Sequence, residues 1–166
     1  IALLLSNTNT NPNIKSEEIL PDSTLKSEKT PLFKAIQDRS LLIIEFLVKY
    51  PSIDVNVKSL ETKNSSCGIM RCEKTPLYLA VENIQQEIIQ ILLKNPKIDV
   101  NLLSCKTINI DGENFIKTDS PLHIAALSEK LDIINLLLKN KKIDVNVKDE
   151  HGKTPIELVS NKKVIS

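Results

Sequence analysis

Tryptophan is absent, and the 166 residues hold only three glycines, three cysteines and two histidines. No function is read from the missing tryptophan or the few glycines, but the shortages of cysteine and histidine each close a class. Three cysteines are an odd number at low density, which is not how a small secreted domain staples itself together. Reduced thiols in an intracellular, cytoplasmic compartment are expected, with the nucleus left open. Two histidines, with no Gly-x-Ser-x-Gly elbow, no phosphate-binding Gly-Lys-Ser/Thr loop and no Gly-rich dinucleotide fingerprint, leave nothing from which to assemble a catalytic constellation. The chain therefore reads as a non-enzyme that needs no cofactor. The apolar runs Ile1 to Leu5 and Leu41 to Ile44 are far short of the roughly 18 residues of a membrane span, so no insertion into a bilayer is expected. Charge of one sign is also lacking: 22 Lys plus Arg against 21 Asp plus Glu give a formal charge of +1, and no global field draws the protein onto nucleic acid or acidic lipid. The start has neither the basic region nor the small-residue cleavage site of a secretory signal, and Ile1 stands where a translation product would carry Met. It reads as a piece of something longer.

What is present is repetition. Ile53-Asp54-Val55-Asn56 recurs as Ile98-Asp99-Val100-Asn101 and as Ile143-Asp144-Val145-Asn146, a step of 45 residues each time (101 − 56 and 146 − 101). A weaker copy, Asn11-Pro12-Asn13-Ile14, aligns with Asp54 onward. The second landmark is Thr30-Pro31-Leu32-Phe33, then Thr75-Pro76-Leu77-Tyr78, Ser120-Pro121-Leu122-His123 and Thr154-Pro155-Ile156-Glu157. Each Thr/Ser-Pro pair predicts a helix start, because the hydroxyl caps an orphan N–H and proline occupies a first-turn position that needs no donor.

In the middle copy the pattern predicts a first helix over about 76–83 and a second over about 85–94. In the second, Glu87, Gln90 and Lys94 form one polar stripe and Ile88, Ile89, Ile91, Leu92 and Leu93 fill the rest. The third copy repeats this, with Asp132, Asn135 and Lys139 polar among Ile133, Ile134, Leu136, Leu137 and Leu138. Helices this apolar must be covered on several sides. A lone hairpin cannot do that, whereas stacked neighbours can.

Ser120-Pro-Leu-His-Ile-Ala-Ala126, Leu131-Asp-Ile-Ile-Asn-Leu-Leu-Leu138, Ile143-Asp-Val-Asn146 and Asp149-Glu-His-Gly-Lys-Thr-Pro155 together resemble an ankyrin repeat. The resemblance spans the chain as one domain, with full repeats at about 30–74, 75–119 and 120–153 and partial repeats over 1–29 and 154–166. Ile1 to Leu5 then aligns with the end of a second helix. The implied fold class is all-α, a solenoid of stacked helical hairpins carrying β-hairpin or loop fingers. Two departures stand out. From Asn146 to Thr154 is 8 residues, but from Asn56 to Thr75 and from Asn101 to Ser120 is 19, so two fingers are lengthened by 11. The family's inter-helix glycine is replaced by Arg39, Ile84 and Glu129, so those turns are expected to close by another geometry.

In the second long finger, Thr107 to Ile116 alternates around Asp111-Gly112, a two-residue turn signal that predicts a β-hairpin with Ile108 opposite Phe115. The first long finger, Val57 to Lys74, offers turns at Asn64-Ser-Ser66 and at Cys67-Gly68, and an irregular loop stays open there. Cys67, Cys72 and Cys105 lack a fourth ligand and the tight paired spacing of a closed zinc site, so no metal is expected. By the resemblance, His123 ties its turn to the neighbouring repeat, while His151 lies in a turn at Asp149-Glu-His-Gly152. Asn56, Asn101 and Asn146 are suited to bond the local turn backbone. The long fingers carry local charges of opposite sign, and aromatic residues are too few for a base-stacking platform, so nucleic acid is not expected as a partner.

The resemblance implies a protein-binding scaffold whose partner, another protein, sits on the concave surface of fingers and first helices. Carried over position by position, the contact residues are Gln37 and Asp38, Glu82 and Asn83, and Leu127 and Ser128, all expected to be exposed, together with Glu150 and His151 in the short finger. The alternative is a targeting or regulatory segment of a larger enzyme or channel.

Overall fold

The computed structural model describes residues 11–19, 26–65 and 68–162. The expected second-helix remnant at Ile1 to Leu5 lies outside them, as does Cys67. The elements run β1 (Ser16–Ile19), β2 (Lys26–Lys29), α1 (Pro31–Gln37), α2 (Leu41–Lys49), β3 (Ser59–Ser65), β4 (Gly68–Lys74), α3 (Pro76–Glu82), α4 (Gln86–Leu93), β5 (Ser104–Ile110), β6 (Glu113–Asp119), α5 (Pro121–Leu127), α6 (Leu131–Leu138) and α7 (Pro155–Lys162).

The helix starts follow the caps. Thr30, Thr75 and Ser120 sit in extended conformation and accept the N–H groups of Phe33, Tyr78 and His123 at 3.2, 3.1 and 3.3 Å, with proline in the first turn each time. The ends differ from expectation. Arg39, Ile84 and Glu129 adopt φ of 54, 57 and 54°, the left-handed conformation that glycine would supply. The N–H of Ile84 reaches Val81 O and that of Gln85 reaches Ala80 O, and the other two turns repeat the pattern. This is the standard left-handed helix stop. The turn geometry is thus retained without glycine, at a steric cost of roughly 1–2 kcal/mol for each L-residue so placed.

The core is continuous through the stack. Ile36 and Ile44, Leu77 with Ile89 and Leu92, and Leu137 are fully buried between helix pairs, and Val55 and Val100 of the repeated Ile-Asp-Val-Asn turns join them. Burying one such side chain contributes roughly 1.5–3 kcal/mol. Glu87, Gln90 and Lys94 form the solvent stripe of α4, as Asp132, Asn135 and Lys139 do on α6.

Asn56 and Asn101 act between repeats rather than within the turn. Asn56 Nδ2 donates to Lys97 O at 2.8 Å while its Oδ1 accepts Asp99 N–H at 2.9 Å. Asn101 treats Lys142 and Asp144 in the same way, and Asn13 treats Ser52 and Asp54 so. The local bond belongs to the preceding aspartate, whose carboxylate accepts the asparagine N–H (2.9 Å for Asp54 and Asn56). Each carboxamide therefore clamps the backbone of the repeat that follows it.

All-α is too narrow a description. The fingers form one six-stranded antiparallel sheet in the order β1 to β6. The first long finger is a paired hairpin like the second, running from Ser59 opposite Lys74 to Ser65 opposite Gly68, and ahead of it β1 and β2 pair as the strands of a further finger, from Ser16 opposite Lys29 to Ile19 opposite Lys26. Ile108 does lie opposite Phe115, and Asp111 and Gly112 both take positive φ as a tight hairpin turn requires. Stacking sets finger edges side by side, and their free N–H and C=O groups pair: Glu28 with Leu60 between the first two fingers, Ile69 to Glu73 with Asn109 to Cys105 between the next two. That approach requires Gly68, because a Cβ there would sit 2.0 Å from Asn109 O.

Candidate functional site

Side chains alternate across the sheet. Cross-strand pairing puts Lys63, Met70, Cys72, Lys74, Lys106, Ile108, Phe115, Lys117 and Asp119 on one face, and that face meets the ends of the first helices at Tyr78 and Glu82. Leu60, Ile69, Arg71, Glu73, Cys105 and Thr107 occupy the opposite face. Cys72 and Cys105 thus point to opposite sides and do not converge on a shared metal. Among the described residues no group of three or more His, Cys, Asp or Glu side chains is placed to hold one.

On the inner face a chain of polar contacts joins two repeats. Gln37 Nε2 donates to Glu61 Oε1 at 2.6 Å, Lys74 Nζ reaches Glu61 Oε2 at 3.2 Å and Glu82 Oε2 at 2.6 Å, and Lys63 lies 3.8 Å from Glu61. Glu61 and Lys74 are buried. Burial alone would push the Lys74 ammonium down, but the hydrogen bond and charge of Glu82, followed by those of Glu61, outweigh it and hold its pKa above the ordinary lysine value. Cys72 beside them is raised by burial, which keeps it a thiol. Burial and then the carboxylates of Asp119 and Glu82 push the Tyr78 phenol far above its usual value. Lys117 pairs with Asp119 Oδ2 at 2.9 Å, while Asp119 Oδ1 is buried with no hydrogen-bond partner among the described residues.

The proposed contact residues divide. Asp38, Asn83 and Ser128 are exposed at the caps of α1, α3 and α5, with Asp38 3.6 Å from Lys34 one turn back. Gln37, Glu82 and Leu127 are half-buried. The expectation of full exposure fails for these three, since Gln37 and Glu82 are held by the Glu61–Lys74 pair. Glu150 folds away from the helix ends, accepting the N–H of Thr118 and, at 2.9 Å, its hydroxyl. His151 faces solvent with Glu150 3.4 Å away. The structure therefore joins Gln37 to Glu82 and leaves Glu150 and His151 as a separate group. Lys63, Met70, Tyr78, Lys106 and Lys117 share the inner face and were not marked by the repeat pattern. The alternation that pairs Ile108 with Phe115 puts Lys106 and Lys117 on their face, but not which face meets the helices.

His123 is fully buried. Its Nδ1 accepts the Ser120 N–H at 3.2 Å, which leaves the proton on Nε2 to donate to Lys153 O at 3.0 Å. It binds its own turn to the finger of the next repeat.

Helix pairs in a single stack, turned by left-handed stops and clamped repeat to repeat, define a solenoid protein whose fingers project as strands. A family model for ankyrin repeats (three copies) matches residues 1–104 and 56–149, and the chain belongs to the ankyrin-repeat family. The crystal structure of EF0377, an ankyrin repeat protein, superposes with a TM-score of 0.59 at 19% identity over 93% of this chain. At that identity the likeness is one of fold. This chain covers 62% of that structure's length. No curated protein matches the sequence. Ankyrin repeats are in general non-enzymatic protein–protein interaction modules. No helix among the described residues is long and apolar enough to cross a membrane.

Proposed function

We propose that the protein is a scaffold that holds a partner protein across its inner surface, where the ends of α1, α3 and α5 meet the finger sheet. The observation that carries this reading is a cleft of about 160 Å³ between α3 and the two long fingers that flank it, with Met70, Cys72 and Tyr78 among its lining residues together with Lys63, Lys106 and Lys117. The three lysines are exposed. The acidic groups nearby are already engaged, Glu61 and Glu82 by Lys74 and Asp119 by Lys117, whereas Lys106 has no carboxylate partner among the described residues. The unbalanced charge is cationic, which suits an acidic segment of the partner. Free thiols at Cys72 and Cys105 support a reducing, cytoplasmic setting.

Charge reversal separates the surfaces. With a partner isolated on the full chain, Lys106→Glu on the inner surface is expected to weaken binding by about 1 kcal/mol, roughly fivefold, chiefly through association rate and more at low salt. Glu87→Lys and Asp132→Lys on the outer stripe are expected to change nothing. Glu82 is a poor probe, because its reversal also strands Lys74. Binding lost on the outer stripe and kept on the inner surface would refute the assignment.

A further inference from the structure

β6 is the last strand of the sheet. Its hairpin turn is two residues long, closed by Ile110 opposite Glu113, so the closing pair exchanges both hydrogen bonds and the alternation that follows is fixed. Glu113, Phe115 and Lys117 turn their backbone groups toward β5, and Asn114, Ile116 and Thr118 turn theirs outward. The repeat gives the same result independently. Forty-five residues earlier, Ile69, Arg71 and Glu73 of β4 hold Asn109, Thr107 and Cys105 of the next finger. After β6 the next finger is only a tight turn, with Asp149 N–H bonded to Lys153 O, and Glu150 reaches β6 at Thr118. Among the described residues, the N–H and C=O groups of Asn114 and Ile116 are left at an open edge. Phe115 and Ile116, 54 and 56% exposed, stand beside them.

We propose that this edge pairs with β6 of a second copy of the chain, antiparallel about a two-fold axis at Phe115. Open edges are templates for strand addition, and this sheet is itself built by such additions between fingers. Chemistry selects both the occupant and the register. With Phe115 opposite its symmetry mate, Asn114 and Ile116 of each copy exchange hydrogen bonds with Ile116 and Asn114 of the other. The ladder then stops short of Thr118, whose N–H Glu150 already holds. In that register Lys117 faces Glu113 of the second copy on both sides of the axis. Glu113 has no ion-pair partner within its own chain among the described residues, and Lys117 lies opposite Lys106 with Asp119 alone to balance it. Moving the axis to Ile116 would need the Thr118 N–H and would set Asp119 against Glu113, so that register is disfavoured. A two-fold contact of this kind closes on itself. It would also carry the two inner surfaces on the same side of a doubled sheet, presenting two binding clefts to one partner.

Sedimentation equilibrium on the full chain tests this. The mass is expected to rise with concentration from 18.6 kDa toward twice that value. Glu113→Lys and Lys117→Glu each place like charges across the axis and should hold the protein monomeric, while the double exchange Glu113→Lys/Lys117→Glu should restore the dimer. Circular dichroism on each variant checks that the fold is intact. Phe115→Cys, at a non-hydrogen-bonded pair where side chains approach most closely, should oxidise to a covalent dimer far faster than Asn114→Cys. A wild type that stays monomeric at every concentration overturns the proposal, including one that instead takes up foreign extended peptides at this edge. So does a dimer indifferent to both single reversals, which would place the contact elsewhere, or equal oxidation of the two cysteine variants.

Discussion

The long-fingered repeats and the short-fingered one both secure the backbone N–H of the helix cap, but with different chemistry. Thr30 N–H donates to Ser59 Oγ and Thr75 N–H to Ser104 Oγ, each serine lying at the base of the next long finger. Ser120 N–H instead donates to His123 within its own turn, and the imidazole then reaches Lys153 O of the next finger. Where the next finger is a strand held by a ladder on both sides, a hydroxyl on it is placed well enough to serve. Where it is only a turn, a longer side chain must span the gap. That accounts for Phe33 and Tyr78 standing where the third repeat has histidine. The two ends of this series also differ in cover: Val100 is fully buried, while its counterpart Val145 is 46% exposed in an apolar groove with Leu131, Leu138 and Ile156.

The strongest test of that difference compares interior with end. Leu92→Ala empties fully buried volume between helix pairs and is expected to cost about 2–5 kcal/mol, read from denaturant midpoints. Leu138→Ala, 45% exposed beside the open groove, is expected to cost less than about 1 kcal/mol. Comparable losses would mean that the end is covered in solution.

Next in size is the cap. His123→Ala strands the Ser120 N–H and Lys153 O and leaves a void, for about 2–3 kcal/mol, whereas Ser104→Ala removes one hydroxyl bond to Thr75 and is expected to cost about 1 kcal/mol. If both cost the same, the short finger is held by something other than the imidazole.

How much of this the sequence discloses depends on whether the physics is local. The Thr/Ser-Pro caps, the solvent stripe from Glu87 to Lys94 and the Asp111-Gly112 hairpin are set by residues within a few positions of each other, and all are legible. Pairing of Ile69 with Asn109, or Glu28 with Leu60, depends on distant fingers brought together by stacking, so the sheet is not. For the same reason the half-burial of Gln37 and Glu82 escapes notice: both are drawn in by Glu61 and Lys74, which lie in fingers. Ile84 misleads in the other direction, since a β-branched residue gives no hint of a left-handed turn that the surrounding helices impose.

Two substitutions of middle size probe those non-local constraints. Gly68→Ala would drive a methyl into Asn109 O and is expected to destabilise by about 1–3 kcal/mol, with exchange protection lost first along β4 and β5. Ile84→Gly relieves a left-handed residue that is half exposed and is expected to stabilise by about 1 kcal/mol. A loss of stability instead would show that the Ile84 side chain contributes packing that outweighs its strain.

The smallest effect distinguishes the short finger by pH. Burial works to raise the Asp149 and Glu150 carboxyls, but backbone N–H groups outweigh it: those of Lys153 and then His151 on Asp149, and that of Thr118 on Glu150. Both therefore sit below their ordinary values of 3.8 and 4.5. A carboxyl whose folded pKa is depressed contributes stability that is fully present above its unfolded value and is lost as pH falls through the folded one. The contact between the short finger and β6 should thus be intact at pH 6 to 7 (roughly neutral) and fail progressively below about pH 4. Because Glu150 holds the Thr118 N–H, amide exchange at Thr118 should rise in that window relative to Thr107, whose strand is paired on both sides. Glu150→Gln should raise Thr118 exchange at neutral pH and remove its acid dependence. If Thr118 and Thr107 lost protection together on acidification, the carboxylate would not be holding the edge, and the strand would be opening with the sheet as a whole.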